Sequence, residues 1–66
     1  MKITLNGREK EFLGKISIEK LCAELPLKTQ HFIVELNHEI MEKSAWGQTL
    51  LKDGDRIEVI CFVGGG

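Results

Sequence analysis

One stretch of this chain carries a helical stripe, and the segments on both sides of it alternate instead. In "ISIEKLCAELP" the apolar residues Ile18, Leu21, Cys22 and Leu25 fall at i, i+3, i+4 and i+7, which puts them on one face of a helix. Its ends are marked. Ser17 is placed to cap the first free amides, Ile16 and Leu21 hold the two staple positions, Glu19 sits in the first turn and Pro26 lies beyond the last. Lys20 stands where a capping box would have Glu or Gln, so the cap is partial. Elsewhere the period is two: "MKITLN" sets Ile3 and Leu5 against Lys2 and Thr4, and "HFIVELN" sets Phe32, Val34 and Leu36 against Ile33 and Glu35. A single helix must therefore cover one face of a sheet.

The turn signals order the strands. "NG" at Asn6-Gly7 is a strong hairpin signal and leads into a returning strand through "REKEFL". "NHE" turns the third strand into a short fourth, "IMEK". "SAWGQTLLKDGD" reads as a compact crossing segment whose Trp46, Leu50 and Leu51 cover one edge of the core, and "DGD" turns into the last strand, "RIEVICF". In that strand Ile57, Val59 and Cys61 share the face under the helix, while Glu58, Ile60 and Phe62 point the other way. The fold class is α+β: a mixed sheet of about five strands packed on one main helix, the β-grasp arrangement, with one sheet face open. Residues 1–63 form the domain and 64–66 a flexible glycine tail.

Composition excludes several functions. A domain near this size buries only about 60% of the surface its unfolded chain exposes, which leaves little room for a deep active site. Nine basic residues face ten acidic ones, and the aromatics are Phe12, Phe32, Phe62 and Trp46, so the basic excess of a nucleic-acid binder is missing. No apolar run approaches the ~20 residues of a membrane helix and nothing resembles a signal peptide, so the expected location is the cytoplasm. Cys22 and Cys61 lie far apart without metal-ligand spacing, and His31 and His38 are isolated; the expectation is two buried reduced thiols and two surface imidazoles. Asp53 and Asp55 flank Gly54 as a turn does, with too few oxygen ligands nearby for Ca²⁺. There is no nucleophile elbow and no Gly-rich loop between a strand and a helix. The chain is not expected to be an enzyme, to bind a cofactor or to hold a metal.

The unusual feature is the end, "CFVGGG", where three of the seven glycines stand together at the terminal carboxyl group. Glycine lacks Cβ, so an extended diglycine can thread a channel too narrow for any side chain and deliver the carboxylate to a reactive centre. Val63 to Gly66 spans about 13 Å when extended, at ~3.4 Å per residue, enough for the globule to dock outside an enzyme while its end reacts inside. Ordering the tail costs roughly 1–2 kcal/mol per residue, which docking contacts must offset. Ile60 and Phe62, with Ile33 on another strand, supply a candidate apolar patch on the open face, and Val63 and Gly64 lead from it to Gly65 and Gly66. An α-carboxyl, with a reference pKa of about 3.3–3.7, is ionised near neutrality and can act as a nucleophile without a base of its own.

These residues resemble a family. "MKITLNG", "ELNHEI", "SAW" with its short following loop, "LKDGDRIEV" and the final "VGGG" look like the small sulfur carrier proteins of thiamine biosynthesis over essentially the whole chain. The end motif is shared with the small subunit of molybdopterin synthase and with ubiquitin, whereas the "GDRIE" strand entry and the length favour the thiamine carriers. The resemblance implies a ubiquitin-like β-grasp fold and a carrier role. A ubiquitin-activating-enzyme-like adenylyltransferase would use ATP and Mg²⁺ to activate the carboxylate of Gly66. Sulfur from a donor of the cysteine desulfurase type would then replace AMP to give a thiocarboxylate, and thiazole synthase would receive that sulfur. Gly65 and Gly66 match the family's functional diglycine, and Ile33, Ile60, Phe62, Val63 and Gly64 are the candidate partner contacts. A carrier for a molybdopterin, cysteine or secondary-metabolite pathway would share the same tail, and a noncovalent β-grasp binding module is the alternative of a different class. One departure is Glu42-Lys43 ahead of Ser44, where the family usually has Pro-Arg, so the local turn there does not follow from the resemblance.

Overall fold

The helix begins where the sequence caps it. In the computed structural model, which describes residues 1–27 and 29–62, α1 runs Ile18–Glu24, and the Ser17 hydroxyl accepts a hydrogen bond from the Lys20 amide at 3.1 Å. It ends at Glu24, with Leu25 between it and Pro26, whose ring forces the preceding residue out of the helical region; Leu25 accordingly sits at ψ 144°. Ile18, Leu21 and Cys22 are buried and Leu25 is half-buried, as the stripe requires.

The strands are β1 (Lys2–Leu5), β2 (Arg8–Glu11), β3 (Phe32–Leu36), β4 (Glu39–Met41) and β5 (Arg56–Cys61), in the spatial order β2-β1-β5-β3-β4. β5 lies at the centre, parallel to β1 and antiparallel to β3, which makes the mixed β-grasp sheet. β2 is shorter than "REKEFL" suggests. It is exposed along its length, an edge strand protected from pairing with other chains by its charges. Phe12, just past its end, packs half-buried against the core.

Two hairpins use the same backbone solution. Asn6 and Gly7 stand at φ 50° and 82°, and Asn37 and His38 at φ 51° and 72°, the left-handed pair that a two-residue type I′ turn demands. Both asparagines also work at long range. Asn6 Oδ1 accepts from the Val59 amide at 2.8 Å while its Nδ2 donates to the Val59 carbonyl at 3.4 Å, so a side chain continues the short β1–β5 ladder where the main chain turns away. Asn37 Oδ1 accepts from the Arg56 amide at 2.9 Å, and its Nδ2 donates to Asp55 Oδ1 at 3.1 Å. The other Asp55 oxygen accepts from the Lys52 amide at 2.7 Å, so this buried carboxylate ties the entry of β5 to the β3–β4 turn.

The crossing segment is a 3-10 helix, Lys43–Gln48, held by Trp46. The indole is buried, donates to the Met41 carbonyl at 3.1 Å and stacks on Phe32 with ring centroids 5.2 Å apart. Leu51 is buried as expected, but Leu50 does not cover the core. It is half exposed, because residues 50 and 51 pair in extended conformation with Ile16–Ile18, and successive side chains then alternate in and out. Glu42, ahead of the 3-10 helix, has φ −66°, the value a proline ring would impose, so the backbone suits the family's usual Pro as well as the Glu found here.

Both thiols are free; Cys22 is buried, whereas Cys61 is only half-buried at the margin of the core. Burial pushes the Cys22 thiol above its ordinary value. The folded state therefore favours the protonated thiol, and this contribution to stability is full below the ordinary thiol pKa of about 8.5 and is lost as pH rises beyond it. Alkylation with iodoacetamide at mildly alkaline pH, followed by peptide mass mapping, should modify Cys61 well before Cys22 in the native protein and both alike in denaturant. Equal native rates would show that Cys22 is not shielded.

Candidate docking surface

Because α1 and the 3-10 helix lie on one side of the sheet, alternation leaves the other side bare. Its apolar members meet through strand register. Ile33 on β3 lies directly opposite Ile60 on β5, the first half-buried and the second 39% exposed. One pleat further on is Phe62, 52% exposed and held beside β3 by the hydrogen bond from its amide to the His31 carbonyl at 2.9 Å. The three patch residues read from the sequence thus share one face, at the end of the sheet from which the chain continues to its terminus. Val63, Gly64, Gly65 and Gly66 lie outside the described residues.

Sequence reasoning missed Ile40. It is 66% exposed on β4 and pairs with Glu35, so it extends the bare face across a third strand. The signal was present in "EIM": once Met41 is assigned inward, opposite Val34, its neighbour Ile40 must point outward. The same register places Glu35 of β3 opposite Glu58 of β5, both half-buried, in the middle of the patch.

The opposite side of the molecule has an open cavity of about 430 Å³ between α1 and the 3-10 helix, lined by Cys22, Leu25, Leu27, Phe32 and Trp46 with Lys43 at its rim. Among the described residues no cluster of three His, Cys, Asp or Glu side chains is arranged to hold a metal ion, and no helix is long and apolar enough to cross a membrane. The bare sheet face is therefore the candidate docking surface.

A family model described as the ThiS family matches residues 3–66. The chain belongs to the ThiS family. Among relatives of this ThiS-family chain is the sulfur carrier protein ThiS of Bacillus subtilis, 37% identical over 65 residues that cover 97% of this chain and 98% of that protein. A thiazole synthase of Paramagnetospirillum magneticum is 39% identical over 66 residues, covering 100% of this chain and 20% of that protein. The chain thus spans about a fifth of the length of that relative, and the same holds for a thiazole synthase of Magnetococcus marinus. The crystal structure of a thiamine biosynthesis protein (ThiS) from Geobacter metallireducens superposes with a TM-score of 0.84 at 35% identity, covering 100% of both chains. The β-grasp fold expected from the order of elements is the ThiS fold.

Proposed function

We propose that this ThiS-family chain is a sulfur carrier for thiazole formation in thiamine biosynthesis, with the carboxylate of Gly66 as its reacting group. A carboxylate oxygen attacks the α-phosphorus of ATP in the active site of an adenylyltransferase, and pyrophosphate leaves. A sulfur nucleophile then attacks the acyl carbon of the adenylate, AMP leaves, and Gly66 ends in a thiocarboxylate. The partner supplies Mg²⁺ and the groups that stabilise the developing charge. This chain supplies a docking face beside the origin of the tail, and a tail without side chains.

The observation that carries the reading is the family match, which runs through the glycines to residue 66 and accompanies near-complete coverage of a curated sulfur carrier. The thiazole synthases that contain a stretch similar to this whole chain support thiazole synthase as the sulfur acceptor. A cysteine desulfurase type of enzyme is the proposed sulfur donor; its persulfide displaces AMP to form an acyl disulfide on Gly66, and attack by a thiol on the outer sulfur releases the thiocarboxylate and leaves a disulfide on the donor side.

The test is intact-mass spectrometry after incubation with the cognate adenylyltransferase, Mg-ATP and inorganic sulfide. The mass should rise by one oxygen-to-sulfur exchange, and fragmentation should place the change at Gly66. No change, under conditions in which a known carrier is converted by its own enzyme, would sink the carrier reading and favour a noncovalent binding module.

A further inference from the structure

The bare sheet face carries a contradiction. Glu35 and Glu58 stand directly opposite each other on neighbouring strands. At such positions Cβ atoms lie only ~4.5–5.5 Å apart, and like charges there destabilise a sheet. The long-range side-chain hydrogen bonds to β5 and its entry turn are made elsewhere, by Asn6, Asn37, Asp53 and Asp55. The nearest cation on that face by register is Arg56, one pleat back along β5 and beside Thr4 of β1, on the far side from the apolar patch. Around the carboxylates lie Ile33, Ile60 and Ile40, with Phe62 beyond. The fold gains nothing visible from this pair. A partner of the right charge would.

Resting on the carrier reading above, we propose that the Glu35–Glu58 pair is the specificity element of the docking face, and that its occupant is an arginine of the adenylyltransferase, set in an apolar surround. Charge decides among occupants. A second copy of this chain, face to face, would bring four carboxylates together, so self-association through this surface is opposed. Among the described residues no third His, Cys, Asp or Glu joins the pair to hold a metal ion. A guanidinium presents five donors in a planar fork, which suits two adjacent carboxylates better than the single point of an ammonium. Its weak hydration also suits a site rimmed by isoleucines. The like-charge contact is then relieved in the complex.

The experiment compares wild type with Glu58→Lys, with the Glu35→Gln/Glu58→Gln double variant and with Phe62→Asp, measuring melting temperature, Kd for the adenylyltransferase and maximal adenylation rate at saturating carrier. Glu58→Lys should melt no lower than wild type, because opposite charges now face each other across the strands, yet bind far more weakly. The double variant should lose about 10- to 100-fold in affinity, the range expected when hydrogen bonds to charged groups are lost, with the saturated rate unchanged. Wild-type binding should weaken steeply between about 0.1 M and about 1 M salt, as the Debye length falls from ~10 Å to ~3 Å, and the double variant should respond much less. Unchanged affinity and salt dependence in the folded glutamate variants would overturn the proposal, as would a fall in their melting temperature that accounts for the loss of binding. Weakened binding by Phe62→Asp alone would keep the face as the docking site and discard the arginine. Failure of wild type to be adenylated at any concentration would overturn the carrier reading itself, and this proposal with it.

Discussion

Deleting Gly65 and Gly66 is expected to abolish activation by the adenylyltransferase while leaving the melting temperature within about 4 °C of wild type, as follows from a change of at most ~0.5 kcal/mol in a domain of this size. Neither glycine has a side chain to bury, and the last described hydrogen bond of the final strand is made three residues earlier, by the Phe62 amide. The deletion shortens the reach of the chain by about 7 Å, at ~3.4 Å per residue. That is twice a near-attack separation of ~3–3.5 Å, so the carboxylate would not meet the nucleotide. Gly66→Val keeps the length but adds a side chain to a segment that, on the carrier reading, threads a narrow channel, and it should be nearly as damaging. ATP-pyrophosphate exchange measured beside thermal melts separates the outcomes. Full exchange by the deletion variant would remove the tail from the chemistry, and a large loss of stability would make it part of the fold.

The second large effect falls on stability and leaves the tail untouched. Asp55 is 7% exposed, and its two carboxylate oxygens receive the Asn37 side chain at 3.1 Å and the Lys52 amide at 2.7 Å. Asp55→Ala removes two hydrogen bonds to a charged group, worth about 1.5–3 kcal/mol each when buried and less here, where the donors belong to the exposed residues Asn37 and Lys52. It also frees Asn37 from the position in which it receives the Arg56 amide. A loss of about 2–4 kcal/mol is expected against a total of roughly 3–10 kcal/mol for a chain this long, a large share of what holds it folded. Urea titration should show a lower midpoint with an unchanged slope, and Asp55→Asn, which keeps one acceptor, should fall between. A loss under ~0.5 kcal/mol would mean that water replaces the carboxylate at no cost.

The glycine end and Asp55 also mark what the sequence discloses and what it conceals. The helix, its Ser17 cap, its stop before Pro26 and the inward faces of β1, β3 and β5 follow from local spacing, and the structure has them there. The diglycine end is plain in the sequence because nothing else in the chain clusters in that way. Asp55, by contrast, reads as half of a "DGD" turn. Its bond to Asn37 spans 18 positions, and the pairing of Asn6 with Val59 spans 53. No local pattern announces such partners. Leu50 misleads for a related reason: in "LLK" either leucine suits the core, and the bridge to Ser17 decides which one turns inward. The Glu35–Glu58 pair needs the β3–β5 register, which exists only after the chain has closed on itself.

The central place of β5 governs the order in which the molecule assembles. β1–β2 and β3–β4 are hairpins between neighbouring segments, able to form early from local sequence. They are not neighbours in the sheet, and only β5 joins them. Its pairing with β1 closes a loop of some fifty residues, from Thr4 to Arg56. Loop-closure entropy must be met before such contacts return anything, which places folding nearer the millisecond range of mixed α/β domains than the microseconds of helical bundles. The last strand of the chain thus carries the pairings of highest sequence separation in the sheet. A chain whose hairpins have formed but whose centre is still open has no docking face, since Ile60 and Phe62 reach Ile33 only when β5 is seated. On the carrier reading, a chain in which β5 has not yet paired with β3 would not offer this face to a partner.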